Sequence, residues 1–199
     1  MYLIAYSMEA IRDSLMMQAL GSLGARVLWE GVWMLSSSLA PTTPDDAGVV
    51  VHDIFQHVYD VVSAVDRWGR GLRGEEHLVV GRVFQFEGSN SESPSQLYLP
   101  SWNTGAFLIA YHLPSLGKFA ERRADISNHL SILGGASIRE GVWTLPAQPP
   151  PLDEGDQGTR NSIASLSGYF KRTLQDQDRL VLADFLVGEG WSPLDQGFV

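Results

Sequence analysis

The chain has 199 residues, 44% hydrophobic and 19% charged, with no cysteine and a net charge of −9. Those values fit a globular protein with apolar side chains for one large core or two small ones, and they remove disulfides, thiolate metal sites and cysteine nucleophiles. The acidic balance holds in both halves, with 6 basic against 12 acidic residues over 1–100 and 8 against 11 over 101–199, which argues against a general polyanion binder.

In chain order, Tyr2 to Met8 is a short apolar run that reads as a buried strand. It lacks the basic region and small-residue cleavage site of a signal peptide, and no apolar run approaches the ~18 residues of a membrane span, so a cytoplasmic address and no membrane partner are expected. From Glu9 to Leu23, the residues Ile11, Leu15, Met16, Ala19, Leu20 and Leu23 recur at three and four, the spacing of one helix face, and Gly24 stops the helix. Arg26–Trp29 and Val32–Ser36 are two extended pieces around Glu30-Gly31, where Gly31 supplies the positive φ of a tight turn. Residues 41–48 form a loop. Val50, Ile54, Val58, Val61, Val62 and Val65 mark a second helix over 49–65, and Leu78–Phe86 is a further strand. The order is strand, helix, strand, strand, helix, strand. That is the ferredoxin-like βαββαβ plan, an α+β fold.

The same order then runs again. Glu30-Gly31-Val32-Trp33 recurs as Glu140-Gly141-Val142-Trp143, with Leu23-Gly24 answered by Leu133-Gly134. Leu3-Ile4-Ala5-Tyr6 matches Leu108-Ile109-Ala110-Tyr111, and Leu78-Val79-Val80 is answered by Leu180-Val181-Leu182. Three collinear blocks at offsets of 105, 110 and 102 residues mark a tandem duplication. Repeat 1 covers 1–87, a Ser/Asn/Pro-rich linker 88–105, repeat 2 106–188, and a tail without strong pattern 189–199. In the second repeat, the elements are expected at 107–113, 116–133, Ile138, 142–145, 163–174 and 179–187. An acidic, Pro-rich loop over 147–160, expected to be mobile, replaces the short loop of the first repeat. In an open sheet with helices on one face, the other face needs a cover. The expectation is that the two repeats supply it for each other, as an intramolecular pseudo-dimer.

A strand ending in Tyr, a helix ending Leu20-x-x-Leu23-Gly24-Ala25 and the phrase Gly31-Val32-Trp33-x-Leu35 together resemble the small CRISPR-adaptation ferredoxin-like proteins. VapD-type toxins and SinR-like proteins share that plan. The second copy, through Tyr111-His112-Leu113-Pro114 and Gly141-Val142-Trp143-Thr144-Leu145-Pro146, is similar to the ferredoxin-like domain of chromate-resistance and phenylacetate-type regulators. The resemblance implies paired sheets and, in the CRISPR-adaptation members, a divalent metal held by an aspartate at the end of the first strand. Here those positions are Ser7 and His112. Neither is a carboxylate, and hard-cation sites generally depend on carboxylate oxygens.

Other candidates are weighed on chemistry. Ser7 and His112 could pair as nucleophile and base, but no orienting carboxylate accompanies them in the sequence. Glu30 and Glu140, with Gly31 and Gly141, are repeat-equivalent turn residues. His52, Asp53, His57 and Asp60 invite a metal reading, yet His52 and His57 are about 140° apart around a helix. Arg67, Trp68, Arg70 and Arg73 form a small basic-aromatic cluster, and Arg122, Arg123 and Arg139 a second basic group, as weak candidates for nucleic-acid contact. Trp33 and Trp143 read as packing residues. No cofactor and no metal is expected. The leading expectation is a non-catalytic interaction or scaffold protein with a protein partner, nucleic acid second, in a monomeric chain. The alternatives are a metal-dependent nuclease or toxin-type ribonuclease, and a regulatory domain binding DNA or a small ligand.

Overall fold

A computed structural model describes residues 1–36, 54, 56–57, 76–87, 106–114, 119–146, 166, 169–170, 172–174 and 177–189. Within them lie eight strands and two continuous helices: β1 (Tyr2–Ser7), α1 (Ala10–Ser22), β2 (Arg26–Trp29), β3 (Val32–Leu35), β4 (His77–Glu87), β5 (Ala106–His112), α2 (Phe119–Ile132), β6 (Ala136–Arg139), β7 (Val142–Pro146) and β8 (Arg179–Glu189). Ile54, Gln56 and His57 are also helical, as are Leu166, Tyr169, Phe170, Arg172 and Thr173. The fold class is α+β, as the alternation of strand and helix patterns predicts. The linker, the tail from residue 190 and the 147–160 loop lie outside the described residues.

The chain divides into two units. The first comprises Met1–Arg82 and the end of β8 from Leu186, and the second Val83–Phe185. In the first unit, β1 pairs antiparallel with β3 on one side and β4 on the other, and β2 lies outside β3. In the second, β5 pairs antiparallel with β7 and β8, and β6 lies outside β7. The strand order is therefore β2-β3-β1-β4 in one and β6-β7-β5-β8 in the other. The register is equivalent too: Ile4 faces Trp33 and Val80, while Ile109 faces Trp143 and Leu182.

Period-2 alternation divides each sheet into two faces. In the first unit, Tyr2, Ile4, Tyr6, Trp33, Leu78 and Val80 form the core with Met16, Ala19 and Leu20 of α1 and with Ile54. Met16, Ala19 and Leu20, three of the positions with the three-and-four spacing, are fully buried, while Met17 is exposed. In the second unit, Phe107, Ile109, Tyr111, Trp143, Leu145, Leu180 and Leu182 pack with Ile126 and Leu130 of α2 and with Leu166 and Phe170. The residues between them in sequence (Leu3, Ala5, Val79, Leu108, Ala110, Val181 and Ala183) face the other way and are fully buried as well. Both faces of the central strands of each unit are thus removed from water. At about 1.5–3 kcal/mol per buried Leu, Ile, Val or Phe side chain, this double burial is the main stabilising contribution.

The two long last strands are each divided at the unit boundaries, β4 after Arg82 and β8 after Phe185. Phe84, late in β4, belongs to the second unit's core and packs edge-on to Phe107 with ring centroids 5.9 Å apart. Leu186, late in β8, packs against the first unit's core. These two residues are 102 apart, the offset of the strands that carry them.

Both helices end in the same way. The Ala25 N–H donates to the Leu20 carbonyl and the Gly24 N–H to Gly21, while Gly135 donates to Leu130 and Gly134 to Ser131. This is the Schellman arrangement, and it places Gly24 and Gly134 at φ of 78° and 81°.

Candidate functional site

In each unit, the first strand ends beside the start of the last one. Ser7 closes β1 directly opposite His77, the first residue of β4. Immediately before it, Glu76 is buried, and one turn into α1 the Arg12 guanidinium Nη1 donates to Glu76 Oε2. The pair is nearly sealed from solvent, with side-chain exposures of 6% and 3%. The Glu9 N–H donates to the other carboxylate oxygen at 3.4 Å. A carboxylate so buried needs an ionic partner and further donors, and it has both.

The second unit repeats the arrangement with different outer residues. His112 closes β5 directly opposite Arg179, the first residue of β8. Immediately before that, Asp178 has a fully buried side chain, and Arg122 of α2 donates to its Oδ2 at 2.5 Å. Arg122 Nη2 also donates to the Thr173 carbonyl at 2.8 Å. The offsets of the duplication map Arg12 onto Arg122, Glu76 onto Asp178, Ser7 onto His112 and His77 onto Arg179. The ion pair is shared by the two corners. The strand-end pair differs, a hydroxyl and an imidazole in one and an imidazole and a guanidinium in the other. Burial, followed by the Arg179 charge, pushes the His112 pKa below the ordinary 6.5, with Asp178 acting in the opposite sense.

The Glu-Gly turns sit behind the central strands. Gly31 and Gly141 have φ of 68° and 74°. Their carbonyls accept from the Tyr6 and Tyr111 N–H at 3.0 and 2.8 Å, tying each turn to its central strand. Glu30 and Glu140 are exposed, and Glu140 forms an ion pair with Arg123. Arg139 is half-buried at the end of β6, next to that turn. Arg122 and Arg123 are thus both engaged with carboxylates of their own unit. Arg67, Trp68, Arg70 and Arg73 lie outside the described residues. Trp33 and Trp143 are buried in the two cores.

Two histidine contacts have no counterpart in the sequence reading. The His129 ring of α2 stacks on Tyr169 with centroids 4.1 Å apart and planes 12° apart. Burial, then Arg172, lowers the His129 pKa, while burial, then Asp125 and Tyr111, raises that of Tyr169 against the pull of Arg122. His57 Nε2 is 2.7 Å from the Ser22 Oγ, which also donates to the Ala19 carbonyl at 2.8 Å. Nothing local marks either contact, because the partners are 40 and 35 residues apart. The repeat offsets make Arg12 equivalent to Arg122 and Glu76 to Asp178, but the pairing of each arginine with its carboxylate comes from the structure.

Among the described residues, no group of three or more His, Asp or Glu side chains could hold a metal ion, and no helix is long and apolar enough to cross a membrane. No protein-family model matches the chain, and no characterised protein matches it in sequence.

Proposed function

We propose that the chain is a non-catalytic interaction protein: two ferredoxin-like repeats, 1–87 and 106–188, forming an intramolecular pseudo-dimer that binds a macromolecular partner, a protein before a nucleic acid. The fold part is supported by the strand order, which in both units is second-third-first-fourth with all described pairings antiparallel. Helical residues fall between the third and fourth strands of each, at Ile54–His57 and Leu166–Thr173. The pseudo-dimer reading is supported by the recurrence of the same strand order and register in both units.

One observation carries the non-catalytic reading. The carboxylates nearest the two strand ends, Glu76 and Asp178, are each bonded to a guanidinium of their own unit, and Ser7 and His112 add no carboxylate oxygen. A hard divalent cation takes its ligands from several oxygens, usually including carboxylates. Extracting Glu76 for that purpose would break the ion pair of the buried Arg12, and extracting Asp178 that of the half-buried Arg122. The net charge of −9 favours a protein partner over a polyanion.

The test is an incubation of purified protein with end-labelled single- and double-stranded RNA and DNA at low salt, with Mg²⁺, Mn²⁺ or EDTA. The expected result is no product beyond the protein-free control in any lane. Metal-dependent cleavage that disappears in Ser7→Ala or His112→Ala overturns the reading. Retardation without cleavage would move the partner from protein to nucleic acid.

A further inference from the structure

The duplication supplies an internal control for the side chains between the helices of each unit. The offset of 110 residues that maps Leu20 and Leu23 onto Leu130 and Leu133 also maps Ala19 onto His129. Ala19 is fully buried, so a methyl group satisfies the fold at this place. The second unit carries an imidazole there instead, stacked on Tyr169 with ring centroids 4.1 Å apart. The first unit's own histidine contact is of another kind. His57 Nε2 is 2.7 Å from the Ser22 Oγ, which donates to the Ala19 carbonyl and keeps lone pairs to accept an imidazole N–H.

His129 has no such acceptor. Its Nε2 is buried and has no hydrogen-bond partner among the described residues. Whichever nitrogen holds the proton in the neutral ring, the imidazolium has an N–H at both. Protonation in the stacked position therefore puts a positive charge and an unanswered donor at Nε2, and each is costly away from water. The charged and titratable groups described around the stack are Arg172 on the segment that carries Tyr169, Asp125 and Arg122 on α2, and Tyr111 on β5. Two effects favour the cation, its attraction to the tyrosine face and the C-terminal end of α2, whose last turn holds His129. The helix end acts on the ring whether it is stacked or turned out. The attraction to Tyr169 is outweighed, because burial, then Arg172, hold the stacked ring's pKa below 6.5. A proton therefore favours the released ring, about tenfold for each unit by which the stacked pKa is depressed.

We propose that the His129–Tyr169 stack is an acid-released latch between the helical elements of the second unit: a proton on His129 turns the imidazole out to solvent and uncovers the Tyr169 ring. His129 is only half-buried, so water lies beside it. Leu166 and Phe170, fully buried in the core, hold the segment in place when the latch opens. The released state presents a phenol face and a new cation where the neutral state presents a closed stack. This stands on the second unit alone and does not depend on the nature of the macromolecular partner.

The experiment is an NMR titration of the aromatic ring protons of the full chain from about pH 7.5 to about pH 5.5, with circular dichroism on the same samples. Tyr169→Phe assigns the Tyr169 resonances. His129→Ala, which copies the first unit, gives their position without the stack. In the native chain the Tyr169 resonances are expected to move to that position with the same midpoint as the His129 ring protons, below about pH 6.5, while the dichroism stays constant. His129→Phe keeps an aromatic partner that takes no proton, so Tyr169 should hold its stacked position throughout. Tyr169 resonances that stay in place while His129 titrates overturn the proposal, as does the same movement in His129→Phe. Loss of the dichroism signal together with the movement overturns it too, since the change would then be unfolding of the chain.

Discussion

Arg12 and Glu76 lie 64 residues apart in the chain and meet as a buried ion pair that joins the first turn of α1 to the start of β4. Their equivalents, Arg122 and Asp178, make the same connection in the second unit. A buried pair of this kind adds little net stability relative to a well-packed apolar one, but removing one partner leaves a charge without compensation. Arg12→Leu is therefore expected to destabilise the chain by about 3–5 kcal/mol in denaturant unfolding followed by circular dichroism. Combining it with Glu76→Leu should restore much of that loss. A single variant as stable as the native chain would contradict a structural role for the pair.

The turn glycine Gly141 is held by more than conformation. A Cβ at Gly141 would come 2.6 Å from the Tyr111 carbonyl oxygen, at a φ of 74°. Gly141→Ala is expected to cost at least about 1–3 kcal/mol from backbone strain, with the clash adding to it. Gly21 is the contrasting case: it is helical in α1, and a Cβ there meets nothing within 4 Å. Gly21→Ala should stabilise by about 0.5–1 kcal/mol. Thermal unfolding of the two variants side by side reads both signs.

Much of this architecture follows from local pattern. Apolar spacing places α1 and the strands within a few residues of their observed limits, and Gly31 and Gly141 announce their turns because only positive φ closes them without strain. The expected helix at 49–65 is described only at Ile54, Gln56 and His57, all helical. The ion pairs are less visible. A charge gives no sign of a partner 56 or 64 residues away, and Arg122 reads as one of a basic group when its neighbours in sequence are Glu121 and Arg123. The same holds for Phe84: Arg82 interrupts the apolar face of β4 between Val80 and Phe84, and nothing local names Phe107 as the partner of Phe84.

Phe84 allows a direct check of that strand end. It is 9% exposed and packed on Phe107 in the second unit's core. Phe84→Ala is expected to cost about 3–5 kcal/mol, as for a core aromatic. A loss below about 1 kcal/mol, the range of surface substitutions, would contradict its place in the core.

Trp33 is buried in the first core with its indole N–H lacking a hydrogen-bond partner among the described residues. Trp33→Phe removes that donor together with some packed volume, and the two effects oppose each other. The expected change in unfolding free energy is within about 1.5 kcal/mol. Trp33→Ala, which keeps no compensating ring, should cost about 3–5 kcal/mol.

His129 and His112 both have folded pKa values below the ordinary 6.5, in each case chiefly through burial. The unfolded chain therefore takes up these protons at a higher pH than the folded chain does. Their contribution is present above about pH 6.5 and is lost as the pH falls below it towards the folded values. The melting temperature should drop between pH 7.5 and 5.5, and His129→Gln should flatten that drop. An unchanged slope in the variant would remove His129 as a cause.

The proposal that a single chain supplies both members of a ferredoxin-like pair is best tested by its mass in solution. Light scattering on the purified protein at micromolar concentration should give the mass of one chain, 21.9 kDa, unchanged on dilution. A concentration-dependent mass near twice that value would mean that the duplicated repeats still pair between chains, and would contradict the intramolecular pseudo-dimer.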